Sequence, residues 1–131
     1  MKKVLVFDDD RFSRDALRDA LADAAFDAET VGDAEAFDKA LTWWKPDLVV
    51  VELNLPGKGG LDIVRSIRER HGSLRVVLKS AMVEDSLARL AREVGADACF
   101  SSLQGYRGIV RCVRDVGARG NTSTFDPGVD W

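Results

Sequence analysis

Cysteine is scarce in this chain: Cys99 and Cys112 are the only two among 131 residues. Their spacing fits no metal-ligand pattern, and reduced thiols buried in a cytoplasmic protein are expected rather than a disulfide or a catalytic thiol. Long apolar runs are missing too, since none approaches the ~20 residues that a bilayer-spanning helix needs. Met1-Lys2-Lys3 leads only into Val4–Phe7 before Asp8, Asp9 and Asp10 intervene, which is too short for a secretory signal. A basic surplus is also absent. With 22 acidic against 19 basic residues, no field exists to hold nucleic acid through counterion release. What remains is 46% hydrophobic and 31% charged, the composition of one globular domain long enough to bury its own core.

Short apolar runs alternate with helical patterns along the chain. Val4–Phe7 reads as a strand covered on both faces. A helix is expected from about Phe12 to Ala25, with Ala16, Leu17, Ala20, Leu21 and Ala24 turned inward. Ala28–Val31 is an edge-strand candidate, and Ala34–Leu41 a short helix that ends before Trp43-Trp44-Lys45-Pro46. Leu48–Glu52 is the third strand, followed by a glycine-rich loop and a helix over about Leu61–Arg70. Arg75–Ser80, Glu84–Val94, Ala98–Ser101 and Tyr106–Val116 continue the strand–helix alternation, with Gly95 placed where a helix wants a left-handed cap. Residues 117–131 are rich in Gly, Asn, Thr, Ser and Pro without periodicity and read as a flexible tail or linker stub after a domain over 1–116.

Five strands alternating with five helices predict a parallel sheet covered on both faces. Right-handed crossovers and the length favour a flavodoxin-like (βα)5 doubly wound sheet with strand order 2-1-3-4-5. Ligands of such sheets sit beyond the carboxyl ends of the strands, near the reversal of strand order. Those ends carry Asp8, Asp9, Asp10 and Glu52, with the hydroxyl of Ser80 ending the fourth strand. An oxygen-rich pocket of this kind suits Mg²⁺.

These residues resemble the receiver domain of two-component response regulators over about Lys2–Val116. The resemblance rests on Val-Leu-Val-Phe-Asp8-Asp9-Asp10, on Pro46-Asp47-Leu-Val-Val-Val-Glu52-Leu-Asn54-Leu-Pro56 through Gly60-Leu61, on Ser80-Ala81, and on Gly95-Ala96-Asp97. It implies that Asp9 is a direct Mg²⁺ ligand, that Asp8 acts largely through water, and that the Asn54 carbonyl and the carboxylate at position 52 complete the site. It also implies that Ser80 senses a phosphoryl group and that Ala81 leaves room for it. Asp10 has no fixed role in the family and is read as a helix-start acid.

Two positions depart from the family. Glu52 stands where the phosphoacceptor aspartate is expected, and Ser102, followed by Leu103, stands where a lysine usually ends the fifth strand. A glutamate carboxylate reaches ~1.5 Å further than an aspartate would. In-line phosphoryl transfer tolerates such errors poorly, with ~100-fold lost for a misplacement near 1 Å. Both changes oppose phosphotransfer, so the expectation is a pseudo-receiver that is not an enzyme, with at most vestigial self-phosphorylation. Glu52 is then a partial mimic of the phosphorylated state, with one charge against nearly two, or the remnant of a decayed site. Weak Mg²⁺ or Mn²⁺ binding is expected. Lys79 is read as a lysine snorkelling to solvent rather than a displaced cation, because strand neighbours alternate and Ser80 faces the site.

The resemblance also places the partner face on the fourth helix, fifth strand and fifth helix. Arg107, Arg111 and Arg114 recur there at helical spacing, opposite Glu84, Asp85 and Glu93. They suit a histidine kinase, a phosphotransfer or output protein, or a homodimer, and equally a solvated face. Trp43 and Trp44 are adjacent, so full burial of both is not expected; one marks a contact surface or, more ordinarily, caps the second helix against the sheet. A working Mg²⁺-dependent phosphoacceptor receiver is the alternative in the same family. A haloacid-dehalogenase-like phosphatase is the alternative from another class, suggested by Asp8-x-Asp10 and opposed by Arg11-Phe12, by the short chain and by the lack of a later acidic pair. A nucleotide-binding module finds no phosphate-cradling pattern in Gly57–Gly60.

Overall fold

The fold was analysed in a computed structural model, which describes residues 2–57 and 59–119. Of the tail expected over residues 117–131, Gly117 and Ala118 belong to the last helix, and the residues beyond Arg119 lie outside the described ones. Five strands alternate with five helices: β1 (Lys3–Phe7), α1 (Arg11–Asp23), β2 (Asp27–Val31), α2 (Ala34–Trp43), β3 (Leu48–Glu52), α3 (Gly59–Arg70), β4 (Arg75–Ser80), α4 (Glu84–Val94), β5 (Ala98–Ser101) and α5 (Ile109–Ala118). All neighbouring strands pair in parallel in the order β2-β1-β3-β4-β5. The expected flavodoxin-like topology is thus the observed one.

Strand alternation divides the core into two layers. Leu5, Phe7, Val49, Val51, Val76 and Leu78 face α2, α3 and α4, where Phe37, Val64, Ile67, Leu87, Ala91 and Val94 close over them. Val4, Val6, Leu48, Val50 and Val77 face α1 and α5, where Leu17, Leu21, Ile109, Val113 and Val116 pack. β3 is buried along its whole length, as the central strand of a doubly covered sheet must be.

Helix ends follow their chemistry. Asp10 caps α1 by accepting the Ser13 amide, and Asp33 caps α2 by accepting the Ala36 amide. Asp10 is therefore a capping residue, in line with its reading as a helix-start acid. Gly95 ends α4 with φ 80°, and the cap hydrogen bonds return to Ala91 and Arg92. Several boundaries differ from expectation: α1 ends two residues early, at Asp23, and α2 and α5 each end two residues late, at Trp43 and Ala118. α3 begins two residues early, at Gly59, and α5 begins three residues late, at Ile109. The residue before α5 is Gly108, which offers no side-chain cap, so periodicity alone extended the helix too far towards its start. Trp43 is 84% exposed, while Trp44 is half-buried beneath the Lys3 ammonium, 5.5 Å from the ring centroid.

Candidate functional site

The carboxyl ends of β1, β3 and β4 converge on a buried ion cluster. Alternation carries the α1/α5 face from Val4 and Val6 to Asp8, from Leu48 and Val50 to Glu52, and from Val77 to Lys79. Glu52 and Lys79 are direct register partners in the β3–β4 ladder. Ser13 lies one turn ahead of Leu17 and two ahead of Leu21 on the buried stripe of α1. Four elements therefore aim these side chains at a common point.

The Lys79 ammonium sits at that point. It donates to Asp8 Oδ2, to Glu52 Oε1 and to Ser13 Oγ, each at 2.8 Å. An ammonium has three N–H donors, so all of them are spent on this chain's own oxygens. Asp8 is 1% exposed, Lys79 4% and Glu52 8%. The Tyr106 ring centroid lies 5.8 Å from Nζ, and Phe12 meets Tyr106 edge-on at 6.3 Å. Burial pulls the ammonium's pKa down, but the hydrogen bonds and charges of Asp8 and Glu52 outweigh it and hold the pKa above the usual lysine value.

The carboxylates are committed on their other oxygens as well. Asp8 Oδ1 accepts the Asp10 amide at 2.9 Å, and Glu52 Oε2 accepts the Asn54 amide at 2.8 Å. The Arg14 guanidinium donates to the carbonyls of Asp8 and Asp9. The loop after Glu52 is held by Leu53 N–H on the Lys79 carbonyl and by Gly60 N–H on the Leu53 carbonyl, both at 2.8 Å. At Gly60 a Cβ would collide with the Glu52 carbonyl and the Leu53 backbone, so only glycine lets α3 start this close to β3.

Lys79 corrects the sequence-based expectation. It does not snorkel to solvent but supplies the cation of the site, because the residue opposite Glu52 in the parallel ladder is Lys79 and not Ser80. Ser13 and Tyr106 were not anticipated as site residues. Pairing Leu48–Glu52 with Arg75–Lys79 in sequence would have exposed the Lys79 contact, and the i, i+4, i+8 spacing of Ser13, Leu17 and Leu21 would have marked Ser13 as inward.

The other expected site residues lie around this cluster rather than in it. Asp9 is exposed, and Asn54 contributes its amide through an exposed loop. Ser80 is buried, but its Oγ accepts the Met82 amide at 3.2 Å and makes no bond to Glu52. Ala81 is exposed beside it. The Ser102 hydroxyl donates to the Ser80 carbonyl at 3.4 Å, tying the end of β4 to the turn after β5. Arg111 and Arg114 are exposed on α5, whereas Arg107 belongs to the turn before it, which corrects its placement on the helix. Cys99 and Cys112 are free and half-buried, and burial is the main cause raising both thiols, Cys112 to about 11.

As arranged, the donor set does not fit a divalent cation. Both carboxylates turn an oxygen on Lys79, and Asp9 stands outside with the water. Among the described residues no three His, Cys, Asp or Glu side chains are grouped to hold a metal ion. A metal would have to displace an ammonium that is already fully bonded.

The sequence pattern of the response regulator receiver domain matches residues 4–102. The chain belongs to the response regulator receiver domains. It is 32% identical over 114 residues to the regulatory protein VirG of Agrobacterium fabrum, covering 87% of this chain and 45% of VirG. It is 33% identical over 96 residues to the DNA-binding response regulator MtrA of Mycolicibacterium paratuberculosis, covering 73% of this chain and 42% of MtrA. The chain thus spans less than half the length of these relatives. Among solved structures, NtrX of Brucella abortus superposes with a TM-score of 0.79 at 27% identity, over 90% of this chain and 27% of that one. The chemotaxis response regulator CheY4 of Vibrio cholerae superposes with a TM-score of 0.77 at 22% identity, over 88% of this chain and 98% of that one.

Receiver domains are signalling modules of two-component systems and generally not enzymes in their own right. They interact with histidine kinases and output domains and typically bind Mg²⁺ at the phosphorylation site. Family membership removes the haloacid-dehalogenase alternative. No helix among the described residues is long and apolar enough to cross a membrane.

Proposed function

We propose that this chain is a pseudo-receiver that signals through protein–protein contact, with phosphoryl transfer lost. The observation that carries this reading is the state of Glu52. It replaces the shorter aspartate, and both its oxygens are held, one by the Lys79 ammonium and one by the Asn54 amide. An attacking carboxylate must present an oxygen in line with the phosphorus, and at Glu52 both oxygens are oriented by hydrogen bonds to Lys79 and to the Asn54 amide. Where the resemblance leads one to expect a lysine after the fifth strand stands Ser102, whose hydroxyl donates to the Ser80 carbonyl.

The phosphomimic version of this reading has less support. It asks the charge of Glu52 to act on Ser80, whereas that charge is paired with Lys79 and Ser80 Oγ is bonded to its own loop. A fixed, ion-paired site that keeps the receiver in one state fits the bonding better.

The output face proposed for this module comprises α4, β5 and α5. Val83 is exposed just before α4, and Arg111 lines a groove with Glu84, Phe100 and Gln104. A histidine kinase, a phosphotransfer or output protein, or a second copy of this chain in a cytoplasmic setting is the class of partner that such a face serves.

Incubation with acetyl phosphate and with beryllofluoride, in Mg²⁺, tests the reading by intact mass and tryptophan fluorescence. Neither a mass gain of one phosphoryl group nor a Mg²⁺-dependent spectral change is expected. A phosphorylated product lost in Glu52→Gln would establish the working-receiver alternative instead.

A further inference from the structure

We infer that Lys79 is the resident cation of this site: its ammonium fills the space between Asp8 and Glu52 and keeps divalent metal out of the folded protein. The inference deepens the pseudo-receiver reading and concerns the same site, but it rests on bonding at Lys79 rather than on the chemistry of Glu52.

Three observations carry it. The ammonium touches both buried carboxylates at 2.8 Å, the distance of a charge-assisted hydrogen bond. Its third donor is taken by Ser13 Oγ at 2.8 Å, so the cation is held from β1, β3 and α1 at once. No buried side-chain polar atom among the described residues lacks a partner, so the cluster holds together without a further ligand. A hard divalent ion prefers several oxygen donors and retained water. Here it would have to break three hydrogen bonds and leave an ammonium beside itself in a low-dielectric site, where like charges repel strongly.

The geometry also explains why Asp9 is not recruited. With Asp8 and Glu52 already sharing a cation, Asp9 remains exposed, and its carbonyl is taken by Arg14. The ammonium thus stands in for the metal in holding the ends of β1 and β3 together. Unlike a metal, it is covalently tethered and cannot be removed by chelation.

The test is Mn²⁺ binding to the full chain, read from the electron paramagnetic resonance signal of free Mn²⁺, with thermal unfolding in Mg²⁺ and in EDTA beside it. Wild type is expected to leave the Mn²⁺ signal unchanged and to melt at the same temperature in both solutions. Lys79→Met, which keeps the stem and removes the charge, is expected to bind Mn²⁺ more than an order of magnitude more tightly and to melt higher in Mg²⁺ than in EDTA. Adding Asp8→Asn to Lys79→Met should abolish both effects, and Lys79→Arg should behave as wild type. Wild-type Mn²⁺ binding that Asp8→Asn removes would overturn the inference, as would a folded Lys79→Met that binds no better than wild type. Should Lys79→Met not fold, the wild-type titration decides alone. Wild type that binds Mn²⁺ through Asp8 yet takes no phosphoryl group would sink this inference and leave the pseudo-receiver reading standing. Phosphorylation without metal binding would do the reverse.

Discussion

Glu52 and Lys79 face each other across the β3–β4 ladder as register partners, and Lys79 Nζ lies 2.8 Å from Glu52 Oε1 in a site almost closed to solvent. The pair joins two central strands through their side chains where the backbone ladder ends. A buried ion pair contributes little net stability over an apolar substitute, but removing one partner is costly. Asp8 makes the cluster a triad, so loss of Lys79 strands two carboxylates and loss of Glu52 strands none.

That asymmetry gives the first prediction. Lys79→Met should cost about 3–5 kcal/mol of unfolding free energy. Glu52→Gln, which leaves the ammonium with Asp8 and Ser13, should cost about 1–3 kcal/mol. The double variant should lose clearly less than the sum, because Glu52→Gln removes one of the two stranded charges. Urea denaturation of the four proteins in a double-mutant cycle measures the coupling. Additivity within about 0.5 kcal/mol would mean that the pair does not act as a unit.

The raised pKa of Lys79 sets a pH window. Its folded pKa lies above the unfolded value of 10.5, so folding favours the protonated form. The contribution is fully present below the unfolded pKa and is lost as pH rises through the higher folded one. Wild type should therefore lose unfolding free energy above about pH 10.5 more steeply than Lys79→Met does. Every other ionisable group is common to the two proteins, so the difference between the two curves isolates Lys79. Parallel curves would refute the assignment.

Ser13→Ala removes the third acceptor without touching either carboxylate. It leaves one ammonium N–H unsatisfied in a buried site, a loss of about 1–3 kcal/mol. Ser→Ala elsewhere on an exposed helix face changes stability by about 0.5 kcal/mol or less. Thermal or urea unfolding of Ser13→Ala beside Ser86→Ala, at an exposed position of α4, separates the two cases. Equal effects at both positions would show that the Ser13 bond contributes nothing.

The fold was legible because apolar runs and helical stripes are strong signals, and β3, β4, α4 and β5 fall within their expected bounds. The acidic end of the sheet was legible for the same reason, since Asp8 and Glu52 terminate obvious strands. What sequence order hides is register. Strand alternation read along β4 alone opposes Lys79 to Ser80. Read across the ladder, it puts Lys79 beside Glu52. Ser13 was hidden more deeply, because a serine at the start of an amphipathic helix reads as polar surface. Its spacing from Leu17 and Leu21 puts it on their inward face, but only the docking of α1 shows which groups it meets there. The start of α5 was misread because Gly105 and Gly108 leave no capping side chain to mark it.

Gly60, beside the site, and Gly95, at the opposite end of the sheet, should respond to alanine for different reasons. At Gly60 a Cβ would meet backbone only, namely the Glu52 carbonyl and the Leu53 backbone. Backbone cannot swing aside as a side chain can, so Gly60→Ala must push α3 away from β3 or shift Glu52 itself. The expected cost is at least about 1–3 kcal/mol of overpacking, together with a weakened Glu52–Lys79 coupling in the cycle above. At Gly95 the φ of 80° is the difficulty, and the nearest atoms belong to the Arg68 side chain at 3.5 Å or beyond. Gly95→Ala should cost about 1–2 kcal/mol for the left-handed conformation, with the Glu52–Lys79 coupling intact. Urea unfolding of each variant, alone and combined with Glu52→Gln and Lys79→Met, distinguishes the two. A Gly60→Ala protein with unchanged coupling would show that the loop after β3 does not position Glu52 against Lys79.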